Sequence, residues 1–121
     1  MNVIISTFLI GISTLFATRE TPNISTFSIV ARDSQTGELG VAVQSKFIAV
    51  GAVVPYAKAG IGAIASQAWG NPRFGPIGLE LLATGKSAQQ TVNLMTSADP
   101  HRKHRQLAII CLLYTSPSPR D

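Results

Sequence analysis

Alternating apolar and polar residues predict a β-hairpin as the first regular element of the chain. In TFSIVAR, Phe27, Ile29 and Ala31 fall on one face of a strand, and the residues between them fall on the other. DSQTGELG then supplies turn chemistry, because Asp and Ser side chains bond nearby backbone groups and Gly37 tolerates a positive φ. The strand pattern resumes in ELGVAVQSKF, so the two segments are expected to pair.

Two more extended segments are expected before the first helix. The segment IAVGAVVPYAKAG contains Pro55, which restricts it to a sheet edge or a break, because proline donates no ladder hydrogen bond. The segment GIGAIASQA consists mainly of small residues. We therefore predict a fourth strand whose backbone packs closely against a neighbouring element.

Helix signals follow these strands. Pro76 suits a first helical turn, IGLELLAT follows it, and Gly85 suits the position just after a helix end. Ser87 and Gln90 form a capping-box pattern ahead of a second helix, and an Asp-Pro pair ends that helix. A last strand is expected at QLAII. Four strands, two helices and a strand indicate an α+β fold, with an antiparallel sheet covered by a helix pair.

The two ends of the chain differ in character from its middle. MNVIISTFLIGISTLFA, residues 1–17, is apolar and uncharged, which predicts a signal peptide and a secreted or periplasmic protein without a stable membrane span after cleavage. No basic residue precedes the apolar run, so an uncleaved anchor or a misplaced start remains an alternative. Residues 18–25 are read as a linker. CLLYTSPSPRD, residues 111–121, resembles a translated sequencing adapter rather than the end of a domain; the alternative is an extended proline-containing tail.

The composition is that of a globular protein. Of 121 residues, 45% are hydrophobic and 13% are charged, and the net charge of +4 is small enough to be a solvated basic surface. A single cysteine excludes an internal disulfide.

Several familiar motifs are incomplete. GIGAIA matches the loose pattern G-x-G-x-x-A, but WGNP breaks the chain soon afterwards, where a dinucleotide site needs a long helix. HRKHR holds both histidines of the chain, which leaves a metal site without a third ligand and a Ser-His-Asp triad without support. No aromatic residues interleave with these cations to stack on bases, so we predict no nucleic-acid partner and a solvated basic loop.

Four polar residues near strand ends are candidates for a site. Alternation sends Ser45 and Lys46 to opposite faces at the end of the second strand. Gln67 and Asn71 lie near the end of the fourth strand, where amides can hold a ligand. The alternatives are an ordinary solvated lysine and amides that cap the loop.

The chain between residues 26 and 110 resembles a bacterial family of unknown function. TFSIVARD, TGELGVAVQSKF, VGAVVP and GIGAIASQA occur in the family's order. The resemblance is to the DUF1028 family, which is placed in the N-terminal-nucleophile (Ntn) hydrolase superfamily. It implies part of an αββα sandwich that continues beyond Ile110.

The resemblance also implies a chemistry. In Ntn hydrolases the side chain of the first mature residue attacks an amide carbonyl, and its own α-amine takes the proton. Thr26 is then the candidate nucleophile, Lys46 the charged partner of its amine, and Ser45, Gln67 and Asn71 the substrate-binding residues. A signal cut after Ser13 or Ala17 leaves residues ahead of Thr26, so this role needs a further trimming step.

Two functions are therefore expected. One is a secreted amidohydrolase that cleaves a small amide or peptide and uses no cofactor or metal. The other is a non-catalytic envelope protein that binds a peptide or cell-wall fragment. The sequence does not specify the substrate and leaves a homodimer open.

Overall fold

The computed structural model describes residues 25–112 as seven main elements in the predicted order. They are β1 (Thr26–Arg32), β2 (Leu39–Ser45), β3 (Pro55–Lys58), β4 (Gly62–Gln67), α1 (Phe74–Ala83), α2 (Ala88–Ser97) and β5 (Gln106–Cys111). Short 3₁₀ turns occupy Val50–Ala52 and Arg102–His104. The α+β class is confirmed.

The strands form two antiparallel sheets. β1 and β2 pair as the predicted hairpin, with Thr26 opposite Ser45 at the open end and Gly37 at a φ of 75° in the turn. The second sheet has the order β3-β4-β5. Pro55 begins β3 at the edge of this sheet, which agrees with the restriction that proline imposes.

The sheets and helices stack in layers around β4. This strand is buried along nearly all its length, because it is packed between other elements. Helix α1 contacts β4, and both strands of the hairpin contact it as well. The main core lies between the helices and the three-stranded sheet. Its buried members are Ile64, Phe74, Leu82, Ala88, Val92, Met95, Leu107, Ile109 and Cys111. The arrangement is consistent with the partial sandwich that the family resemblance implies. The strand pattern alone indicated one antiparallel sheet, and the structure has two.

Both helices begin and end at the predicted local signals. The Ser87 side chain accepts from the Gln90 backbone N–H, and the Gln90 side chain accepts from the Ser87 backbone N–H, which completes the capping box. Gly85 has a φ of 86° just beyond the end of α1. These contacts span three residues or fewer, so the sequence alone is sufficient to predict them.

Two glycines let α1 approach the second sheet closely. A Cβ added at Gly75 would overlap the ring of Tyr56 on β3. A Cβ added at Gly78 would lie 2.5 Å from Cδ1 of Ile64 on β4. Since residues three apart share one helix face, these positions form a smooth contact surface against the sheet.

Within the hairpin, β1 turns its more polar face toward the second sheet. Thr26 and Ser28 are half-buried, whereas Phe27 and Ile29 on the other face are 64% and 53% exposed. Alternation correctly predicts which residues share a face, but the apolar face of β1 is its outer one, whereas β2 half-buries Leu39, Val41 and Val43.

Several predictions concern the ends of the chain. β5 continues through Cys111, the first residue of the segment interpreted as foreign. The predicted signal peptide at residues 1–17, most of the linker and residues 113–121 lie outside the described residues. Among residues 25–112, no helix has the length and apolar character needed to cross a membrane.

Candidate functional site

A cavity of about 510 Å³ opens where β1 begins, β2 ends and β4 ends. Thr26 and Gln67, two of the predicted site residues, lie in its wall. The rest of the lining is mainly apolar and carries no charged side chain. It consists of Phe47, Val50, Val53, Val54, Ser66, Ala68, Trp69 and Gly70.

The hydroxyl of Thr26 is held at this wall by Ser45. The hairpin register places the two residues opposite each other, and Thr26 Oγ1 lies 2.9 Å from Ser45 Oγ. Ser45 Oγ also accepts from the Phe47 backbone N–H at 3.0 Å and lies 3.3 Å from the Ser25 carbonyl oxygen. Two strand ends and the following loop therefore fix the position of one threonine hydroxyl.

Gln67 contacts the backbone of the same threonine. Its Nε2 donates to the Thr26 carbonyl at 3.2 Å and to Gln106 Oε1 at 2.7 Å. Its Oε1 is buried and has no hydrogen-bond partner among the described residues. A buried acceptor without a hydrogen bond lowers the stability of the folded protein. The Oε1 atom of Gln67 is therefore an unused hydrogen-bonding position beside Thr26.

The backbone after β4 makes an unusual turn along the cavity. Ala68 and Trp69 have φ values of 52° and 62°, a left-handed conformation that non-glycine residues seldom adopt. A Cβ at Gly70 would lie 2.7 Å from the Ser66 carbonyl oxygen, which explains the glycine there. Strained turns of this kind persist only where neighbouring groups hold them.

Arg105 is the group that holds this turn. Its guanidinium donates to the Trp69 carbonyl oxygen, and its Nε lies 2.8 Å from Asp99 Oδ2. The hydrogen bond from Arg105, helped by the His101 backbone N–H, lowers the pKa of Asp99 from its usual 3.8. The pair thus adds stability above the ordinary pKa of an aspartate, and this stability is lost as the pH falls through the lowered value.

The Trp69 ring extends from the turn toward the basic loop at residues 101–105. It is 70% exposed, and its centroid lies 5.2 Å from that of His104 and 6.2 Å from that of His101. The histidines are exposed, as expected for a solvated loop, and their rings lie against Trp69, a residue of the cavity wall. Sequence patterns gave no sign of this contact, because more than thirty residues separate the tryptophan from the loop.

Asn71 and Lys46 lie outside the cavity lining. Asn71 Oδ1 accepts from the Arg73 backbone N–H at 3.0 Å, and the Asn71 N–H donates to Ser66 Oγ at 3.2 Å. Asn71 therefore shapes the loop ahead of α1, as the alternative interpretation proposed. Lys46 is exposed just after β2. Their predicted functional roles stay predictions.

Another cavity, of about 640 Å³, lies at the opposite ends of these strands. Its wall includes Asp33, Glu38 and Lys58. Asp33 Oδ1 accepts from the backbone N–H groups of Thr36 and Gln35, which lower the pKa of Asp33. The carboxylate is thereby used to form the hairpin turn. The first cavity instead holds a threonine hydroxyl beside a buried amide oxygen that has no partner among residues 25–112.

Other motifs lack the context that their chemistry requires. Gly60–Ala65 forms a turn and the start of β4, with no helix following directly as a dinucleotide site needs. In the described part of the chain, no three His, Cys, Asp or Glu side chains lie close enough together to hold a metal ion.

Comparison with known proteins gives a family and a structural relative. Residues 26–116 match the family described as "Family of unknown function (DUF1028)". The crystal structure of a DUF1028 protein from Silicibacter pomeroyi is similar, with a TM-score of 0.71 and 36% sequence identity. The similarity covers 77% of this chain and 42% of that protein, so the chain spans less than half of its relative's length. No curated protein matches the chain.

Proposed function

The chain belongs to the DUF1028 family, a family of unknown function, and from this premise we propose that it is the N-terminal part of an Ntn-type amidohydrolase. The protein would cleave a small amide or peptide bond with Thr26 as its nucleophile. We further propose that it is secreted or periplasmic, and that its domain starts at Thr26 once the preceding residues are removed.

One observation carries this proposal: the Thr26 hydroxyl lies in a cavity wall, fixed by Ser45 at 2.9 Å, at the first residue of β1. The family match also begins at residue 26. A threonine at the start of a strand can become a chain terminus without any change in the strand's pairing. Its β-branched side chain restricts χ1 and so limits where the hydroxyl points.

The proposed reaction needs only groups of the terminal residue and water. Thr26 Oγ1 attacks the substrate carbonyl carbon while the neutral α-amine accepts the hydroxyl proton, directly or through water. The tetrahedral intermediate collapses, the C–N bond breaks, and the leaving amine takes that proton. Water then adds to the resulting ester while the same amine takes its proton. The bond between the acyl carbon and Oγ1 breaks, Oγ1 takes that proton back, and the acid product leaves.

Gln67 and the strained turn supply the polar surroundings of this step. The Oε1 atom of Gln67 lies on the amide that contacts Thr26 and is free to accept from an α-amine N–H there. We assign the backbone N–H groups of residues 68–70 as donors to the developing oxyanion, since this turn lines the same cavity. Lys46 and Asn71 are assigned outer roles: the Lys46 cation raises the positive potential at this end of the hairpin, and Asn71 shapes the loop that follows the turn.

One contact favours a second function. Ser45 Oγ lies 3.3 Å from the carbonyl oxygen of Ser25, so the unprocessed chain also forms an ordered site. A protein that keeps the Ser25–Thr26 peptide bond would have no free amine for catalysis. It would instead be an envelope protein that binds a peptide or cell-wall fragment in the same cavity.

Replacing Ser45 tests the proposed geometry. In the mature full-length protein, S45A should lower kcat for amide hydrolysis about fivefold, because the nucleophile loses the hydrogen bond to the Ser45 side chain, worth about 1 kcal/mol. The assay is release of p-nitroaniline from a panel of N-acyl amino acid p-nitroanilides.

The matched control is S28A, which removes a half-buried hydroxyl from the same face of β1. Ser28 is not part of the cavity wall. S28A should keep kcat within about twofold, since it leaves the nucleophile's hydrogen bonds in place. Equal losses in the two variants, or no release from any anilide by the wild-type protein, would count against the amidohydrolase.

A further inference from the structure

The apolar cavity and the basic loop beside it differ sharply in charge. The lining of the cavity combines valines and Phe47 with neutral polar groups from Thr26, Ser66 and Gln67. A lining of this kind favours an apolar group attached to an amide, because the apolar part is desolvated while a few polar atoms orient the amide.

Trp69 connects this cavity to the basic loop. Trp69 is a residue of the cavity wall, and its ring contacts the rings of His101 and His104. The strained backbone that presents Trp69 is held through its carbonyl oxygen by Arg105. The aromatic wall and the loop are therefore fixed relative to each other by a hydrogen bond and by ring contacts.

Two cations of the loop form no ion pair with a carboxylate among residues 25–112. Arg102 and Lys103 are exposed and lie between the two histidines in the chain. Within residues 25–112, the ion pair found is that between Asp99 and Arg105, so the nearby carboxylate is already used. An anionic group bound against this loop, on the far side of Trp69 from the cavity, would meet cations without displacing an existing partner.

We infer that the ligand of this cavity is an N-acylated amino acid or short peptide with a free carboxylate. The acyl group and its amide enter the cavity beside Thr26, and the carboxylate lies against the loop of Arg102 and Lys103. The inference rests on the proposed function and names its substrate class, but the binding it predicts does not require catalysis.

Binding to an inactive variant tests this inference separately from turnover. In the full-length T26A protein, calorimetry should show N-benzoylglycine binding about five- to tenfold more tightly than N-benzoylglycinamide at low salt, as two exposed charge contacts allow. The two probes differ only in the carboxylate. The preference should shrink at high ionic strength, because salt screens exposed charges.

Removing the charges of Arg102 and Lys103 tests whether these residues cause the preference for the acid probe. Adding R102Q and K103Q to T26A should abolish the preference for the acid while leaving affinity for the amide within about twofold. The matched control adds K58Q and K86Q, which remove the same charge from β3 and from the connection between the helices. This control should keep the preference.

Several results would overturn the inference. They are equal affinity for acid and amide, no detectable binding of either at millimolar concentrations, and an equal loss in the two charge variants. Catalysis by the wild-type protein without any acid preference would reject this substrate class but leave the amidohydrolase. An acid preference in a protein that proves inactive would support this ligand class and reject the amidohydrolase.

Discussion

T26A should lower kcat for amide hydrolysis by about 10⁴-fold or more, because loss of a covalent nucleophile removes the step on which the reaction depends. The cavity should still bind ligands, since Thr26 supplies one small side chain among ten lining residues. KM should therefore change far less than kcat. The measurement is steady-state kinetics of p-nitroaniline release by the mature full-length protein.

T26S is the conservative control for this variant. It keeps the hydroxyl and the α-amine but loses the β-branch, so kcat should stay within about 100-fold of wild type. Mass spectrometry should first establish that each variant starts at residue 26. If T26A retains activity within tenfold of T26S, another group performs the chemistry.

G75A should destabilise the protein by about 2 kcal/mol. The added methyl group overlaps the Tyr56 ring, and overpacking of this kind costs about 3 kcal/mol. Alanine in a helix recovers about 1 kcal/mol relative to glycine. The free energy of unfolding, measured in urea on the full-length protein, should show the difference as a lower midpoint with an unchanged slope.

Two further variants show whether the contact with Tyr56 is the cause. G40A adds a methyl group on β2 where no atom lies within 4 Å, so its free energy of unfolding should stay within about 0.5 kcal/mol of wild type. In a Y56A background, G75A should cost little, because the ring it would meet is absent. An equal cost in both backgrounds would reject this explanation.

Local chemistry made much of the fold predictable. The capping box of Ser87 and Gln90 and the glycine after α1 act over a few residues, so their patterns carry most of the information needed. The hairpin was equally local, because the turn at Gly37 joins two alternating segments and fixes which residues pair. The pairing of Thr26 with Ser45 follows from that register.

The remaining features depend on contacts between distant segments. Alternation could not predict that the face carrying Phe27 and Ile29 is the exposed one, because that depends on how the hairpin stacks on the second sheet. The contact of Trp69 with the histidines, and the Arg105 bond that holds its backbone, join segments more than thirty residues apart. Asn71 was predicted to bind substrate, and that role stays a prediction; what the sequence pattern did not specify is that its amide oxygen accepts from the Arg73 backbone N–H in the loop before α1.

The α-amine of Thr26 is the group on which the proposed activity depends. N-terminal sequencing of the mature, full-length protein purified from its native host measures directly whether this amine is free. The account predicts threonine in the first cycle, followed by Phe27 and Ser28. A mature chain that begins at Ser25 or earlier would leave the fold and the cavity unchanged and would contradict the proposed catalysis.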